Sequence, residues 1–160
     1  MLSCLTLSAP ERDYTEWVDP FIGTADYSAT HPGAVVPHGM MAAVPFNVTG
    51  SELNYFDKDN RWWSTPYDIR NKYSVGFAHG ALSGVGCPEM GAIITMATTG
   101  KAEADRTKRG STYCGEVATP GYYATTYDQC AIRAEATATE RASVERYTFT
   151  EGGEANIIVD

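Results

Sequence analysis

Cys130-Ala131-Ile132-Arg133-Ala134-Glu135-Ala136-Thr137-Ala138-Thr139 carries the pattern that decides the fold. Its even positions are apolar, and from Arg133 onward its odd positions are polar. Side chains along a strand point alternately to opposite faces, so this period predicts a strand with one dry face and one wet face. Tyr147 and Phe149 continue the alternation in a following strand. Ala155-Asn156-Ile157-Ile158-Val159 is apolar at almost every place and predicts a strand buried on both sides. Ala92 to Thr98, Tyr122 to Tyr127 and the run Tyr73-Ser74-Val75-Gly76-Phe77 predict three more. Thr99-Gly100, Thr119-Pro120-Gly121 and Glu151-Gly152-Gly153 are turn signals between them. Helical periodicity is nearly absent, since the charged stretch Asp105 to Arg109 is short and Gly110 stops it. Short strands with few helices between them predict an all-β, antiparallel sandwich.

The 160 residues fit one domain or part of one, and a hydrophobic share of 43% is enough for a core. Net charge is −8, from 20 acids against 12 bases. That balance excludes the basic footprint of a nucleic-acid binder and suits a protein that meets neutral ligands. No segment approaches the ~20 apolar residues that span a bilayer. The four cysteines, Cys4, Cys87, Cys114 and Cys130, form no CxxC and no closely spaced pair with a histidine. A zinc site is therefore disfavoured and no metal ligand is assigned. A Cys114–Cys130 disulfide stays open, because pairing needs the two backbones close in space. Residues 1–13 read as an N-terminal tail, and 14–160 as the domain. Leu2-Ser3-Cys4 resembles the end of a lipoprotein signal peptide, and a ragged start is the other reading. The strand ending at Asp160 predicts a fragment incomplete at its C-terminus.

The stretch Gly76-Phe77-Ala78-His79-Gly80-Ala81-Leu82-Ser83-Gly84-Val85-Gly86-Cys87 holds four glycines around a histidine, a serine and a cysteine. So many glycines imply positive backbone angles or another surface close to the main chain. A loop of this kind on a β scaffold is where binding groups sit. A nucleophilic pairing of Cys87 with His79 is disfavoured against a thiol that lines a pocket. The adjacent Trp62 and Trp63 cannot both face one core from a strand, so at least one is expected in a cleft or in solvent. Flat aromatic faces suit the apolar C–H patches of sugar rings, with Asp68 or Arg61 as partners for hydroxyls. Trp17, Phe21 and Ile22 are expected in the core, with a turn at Gly23-Thr24. His31 and His38 lie among prolines and glycines and are expected to make structural hydrogen bonds. Asn47-Val48-Thr49 fits the glycosylation sequon, a common triplet.

Taken in order, several blocks resemble the N-terminal domain of glycoside hydrolase family 92, the calcium-dependent exo-α-mannosidases. Val18-Asp19-Pro20-Phe21-Ile22-Gly23-Thr24 is similar to the family's opening. Pro32-Gly33-Ala34 and Val36-Pro37-His38-Gly39-Met40 are similar to its Pro-Gly-Ala and Pro-Phe-Gly-Met elements. The stretch Gly76 to Cys87 is similar to its Gly-Phe-Ser-His and Leu-Ser-Gly-Thr-Gly-Cys signature, and Glu140-Arg141 with Arg146-Tyr147-Thr148-Phe149 completes the series. The chain departs from the family at Ser28-Ala29, at Ala81 where a second histidine is frequent, and at Ala92 where aspartate is frequent.

The resemblance implies a galactose-mutarotase-like supersandwich that precedes a helical barrel, with the sugar site between them. It implies removal of terminal α-mannose from glycans with inversion. The catalytic acid, the catalytic base and most calcium ligands are expected in the barrel, so no catalytic residue is assigned here and the isolated chain is expected to be inactive. His79 and the turn through Gly84, Gly86 and Cys87 are then expected to meet the sugar. Trp62 or Trp63 would shape the leaving-group side, with Asp68 beside them. A periplasmic or cell-surface address, with or without a lipid anchor, fits this picture. The alternative reading is a stand-alone carbohydrate-binding module.

Overall fold

The structure, a computed structural model, describes residues 12–25, 30–47, 66–81, 83, 93–128 and 131–160. Among the described residues ten strands form two antiparallel five-stranded sheets. The first sheet runs in the order β1 (Ala34–Val35), β2 (Ala42–Pro45), β4 (Phe77–His79), β5 (Ile93–Thr99) and β10 (Ala155–Val159). The second runs β3 (Tyr73–Ser74), β6 (Ser111–Thr119), β7 (Tyr122–Tyr127), β8 (Ile132–Ala138) and β9 (Ser143–Phe149). This is the antiparallel sandwich that the period-2 runs predict. One 3-10 turn (Thr15–Trp17) and one helical turn, α1 (Arg106–Arg109), complete the elements among the described residues.

The core lies between the sheets. On β8 the even residues Ile132, Ala134, Ala136 and Ala138 are buried, while Arg133 and Glu135 are half-buried and Thr137 is exposed. Their small side chains leave room for larger ones: Phe77 meets Tyr123 edge to face, ring centroids 5.9 Å apart. Tyr147 and Phe149 pack against the same cluster. A smaller cluster covers the outer side of β2, where Ala42 and Val44 meet Tyr67, Ala81, Phe21 and Ile69.

The run from Tyr73 to Phe77 is not one strand. Tyr73 and Ser74 pair with β6 in the second sheet, and Phe77 to His79 pair with β2 and β5 in the first. Gly76 makes the crossing, with φ at +123°. Its backbone lies so close to Thr95 that an added Cβ would run into the Thr95 carbonyl oxygen. Both consequences expected of the glycines thus meet at Gly76.

Two burial expectations are overturned. Among the described residues β10 pairs only with β5, and its side chains have no described neighbour beyond the edge: Ile157 is 52% exposed and Val159 67%. Composition reports apolar character but not position in the sheet, and the strand is an edge. Trp17 is 81% exposed and Ile22 is exposed as well, because the opening segment lies on the outside of the first sheet. There only Phe21 turns inward, while Gly23, with φ at +78°, and Thr24 form the expected turn.

Candidate functional site

A cleft of about 540 Å³ opens beside β1 and β2. One wall is the segment His31 to Gly39, a second is the Thr119-Pro120-Gly121 turn that joins β6 to β7, and a third is Ala81 and Ser83. Local sequence builds each wall. Gly33 lets β1 press onto β2, since an added Cβ would come within 2.6 Å of the Ala43 carbonyl oxygen. The turn at Pro37-His38 closes with the Gly39 amide donating to the Val36 carbonyl at 2.9 Å, and His38 takes φ of +59° within it. Amides of Met40 and Met41 both donate to the Glu140 carbonyl, which pins this loop to the β8–β9 connection.

His31 is a buried polar group in the lining of the cleft, which also includes His38, Ser83 and Thr119. It is 9% exposed, and its Nδ1 is sealed from solvent without a hydrogen-bond partner. At Nδ1, the structural hydrogen bond expected for this histidine is not made among the described residues. Burial pushes its pKa down to about 4, so the ring is neutral near pH 7. His38 is exposed on the rim. Among the described residues the lining contains no Asp, Glu, Lys or Arg.

Of the residues that the sequence singles out, Trp62, Trp63, Gly84, Gly86 and Cys87 lie outside the described residues, as do Arg61, Ser28, Ala29, Ala92 and Cys130. Asp68 is buried, and its carboxylate accepts from the Arg70 backbone amide and guanidinium, with Oδ2 2.6 Å from Nη2. His79 turns between the sheets, where Nδ1 lies 2.9 Å from the Ile93 carbonyl and Nε2 lies 2.5 Å from Glu145 Oε1. Both side chains are thus held by protein partners, and neither lines the cleft. Ala81 and Ser83, from the same glycine stretch, do line it. Cys114 is an exposed free thiol on β6. The Thr119-Pro120-Gly121 turn was legible only as a turn, because its place opposite His31 depends on pairing between distant segments.

The Glycosyl hydrolase family 92 N-terminal domain model matches residues 17–160. The chain belongs to this family. The family 92 domain is also 32% identical over 148 residues to an uncharacterised secreted glycosidase of Arthroderma benhamiae, a match that covers 87% of this chain and 18% of that protein. Among solved structures it is similar to a family 92 α-mannosidase of Bacteroides thetaiotaomicron in complex with mannoimidazole, with TM-score 0.80 and 26% identity over 93% of this chain and 20% of that one. A family 92 inverting mannosidase of Bacteroides thetaiotaomicron VPI-5482 shares the fold, with TM-score 0.70 and 23% identity over 96% of this chain and 20% of that one. The family 92 domain thus spans about a fifth of the length of these relatives.

Calcium takes six to eight oxygen ligands, several from carboxylates. Among the described residues no cluster of three or more His, Cys, Asp or Glu could hold a metal ion. The described surface therefore does not fit calcium. No helix is long and apolar enough to cross a membrane.

Proposed function

We propose that this domain forms one wall of the sugar site of an inverting exo-α-mannosidase that removes terminal α-mannose from glycans outside the cytoplasm. The observation that carries the reading is the end of the cleft at Ala81 and Ser83, the start of the glycine loop, in a domain of a glycosyl hydrolase family. Inversion needs one carboxylic acid to protonate the leaving oxygen and one carboxylate to activate water, set ~6.5–9.5 Å apart. In this proposal a helical barrel of the same protein supplies both groups and whatever seat calcium needs. This domain supplies aromatic and glycine-turn surface from Trp62, Trp63 and the Gly84-Val85-Gly86-Cys87 turn.

The test uses the full-length protein. Hydrolysis of an α-mannoside followed by NMR should release β-mannose first. Trp62→Ala and Trp63→Ala together should lower kcat/KM by about 10-fold or more, the loss of one well-packed aromatic face against a sugar. Release of α-mannose first would rule out inversion, and unchanged kinetics would remove the tryptophans from the site.

A further inference from the structure

We propose that the opening turn carries a second glycan seat, where Trp17 and Tyr14 stack on a neutral sugar ring and the acids beside them take its hydroxyls. The proposal rests on the glycan reading above and adds a contact outside the cleft. Tyr14 caps the 3-10 turn Thr15–Trp17, and the Trp17 amide donates to the Tyr14 carbonyl at 3.1 Å. Side chains three apart eclipse in such a turn, so these two leave it on one side. Both stand in solvent, Trp17 81% exposed and Tyr14 68%. A hollow of about 390 Å³ lies beside them, lined among the described residues by Arg12, Asp13, Tyr14, Glu16 and Trp17. That size falls in the range of small-molecule sites. Its polar groups are held in place. Asp13 Oδ1 accepts from the Thr15 amide at 2.9 Å and hydroxyl at 2.6 Å, and Glu16 Oε1 accepts from Trp17 Nε1 at 3.1 Å, which orients the indole. A carboxylate offers about four lone-pair sites, more than these bonds use. Aromatic faces cover the apolar C–H patches of a sugar, the carboxylates accept from its hydroxyls, and the Arg12 guanidinium donates to them. Two carboxylates repel an anionic ligand, and Arg12 counts against a cation. Three charged side chains around two rings also suit a docking protein poorly, because the cores of protein interfaces are depleted of charge. Val18 lines both the neighbouring hollow at Tyr14 and the cleft, so one glycan chain can touch both.

The experiment uses the full-length protein and mannan, a long neutral glycan, cast into native gels. Retardation across a series of mannan concentrations gives an apparent Kd. Trp17→Ala should raise that Kd about 10-fold, the loss of one stacking face, and Tyr14→Ala should raise it by a smaller factor. Trp17→Phe keeps a ring and should retain most of the retardation. The same variants are assayed for kcat/KM on mannobiose, and their loss on mannan should exceed their loss on mannobiose. Equal losses on the two would place the ring in the cleaving site or in the fold and overturn the second seat. Unchanged mannan retardation in Trp17→Ala overturns it as well, and a lower urea midpoint alongside would show that another part of the protein covers the indole. If the wild type hydrolyses no α-mannoside, the mannosidase reading falls, and gels cast with a panel of neutral polysaccharides then decide the seat. Retardation that Trp17→Ala removes upholds it, and no retardation of the wild type overturns it.

Discussion

His79 and Glu145 join the two sheets of the sandwich, with Nε2 of one 2.5 Å from Oε1 of the other. The opposite nitrogen, Nδ1, faces the Ile93 carbonyl, which can only accept, so Nδ1 carries a hydrogen. A neutral ring would then present a lone pair to the carboxylate. With Glu145 ionised, only the imidazolium makes both bonds. The hydrogen bond to Glu145 accordingly raises the His79 pKa above 6.5, although burial opposes it. Burial pushes the Glu145 carboxyl up, but bonds from His79, Thr95 and Tyr147 outweigh it and hold the pKa below 4.5.

The signs give a pH window. A raised histidine stabilises fully below 6.5 and loses that contribution as pH climbs through its folded value. A lowered glutamate stabilises above 4.5 and loses its contribution as pH falls through its folded value. The tie therefore contributes most between about 4.5 and 6.5 and fades on both sides. Glu145→Gln should cost about 2 kcal/mol near pH 6, the scale of a hydrogen bond to a charged group. The cost should shrink toward pH 9. Urea unfolding of both proteins from pH 4 to 9 measures it, and a difference that does not change with pH would show that the charge has no part.

Asn47 is fully buried and acts as a hub. Its Nδ2, with two hydrogens to donate, lies within hydrogen-bond distance of the carbonyls of Asp68 at 2.8 Å and Asn71 at 2.9 Å and of the Tyr113 hydroxyl at 2.8 Å. Its Oδ1 accepts from the Asp68 amide at 2.8 Å. A glycan on that nitrogen would break these bonds and has no route to solvent. The sequon at Asn47-Val48-Thr49 should therefore stay unmodified in folded protein secreted from a glycosylating host, as intact mass would show. Asn47→Ala leaves several buried groups unpaired and should cost about 3 kcal/mol or more in a urea titration.

The sandwich was legible in the sequence because its central strands are amphipathic in the simplest way. Ile132, Ala134, Ala136 and Ala138 alternate with polar residues, and that period survives folding without change. β10 and the opening segment misled for one reason: apolar composition states what a side chain prefers, and only the sheet order states whether a neighbour covers it. β1, β2 and β6 were missed because two of them are very short and the third is interrupted by Gly115, with φ at +62°, at a bulge between Cys114 and Val117. The cleft was not legible either. His31 and Pro120 are far apart in sequence, and no local pattern shows that two such segments border one cleft. The family, by contrast, was legible, because its signature is a series of short glycine-containing blocks in fixed order.

Gly76 and Gly80 separate two reasons for glycine that sequence alone runs together. Both have positive φ, +123° and +72°. At Gly80 an added Cβ meets none of the described residues within 4 Å, so Gly80→Ala should carry the strain of a left-handed alanine, ~1–2 kcal/mol. At Gly76 the new atom would also collide with the Thr95 carbonyl oxygen, a backbone atom fixed by pairing of β5 to β4 and β10. The chain cannot yield there without parting the strands or failing to cross between the sheets. Gly76→Ala should therefore cost about 4 kcal/mol or more, in the range reserved for strain combined with a clash. Urea midpoints of the two variants give the comparison directly. Equal losses would mean that backbone angle alone fixes both positions, and that the close approach of β5 at the crossing has no energetic consequence.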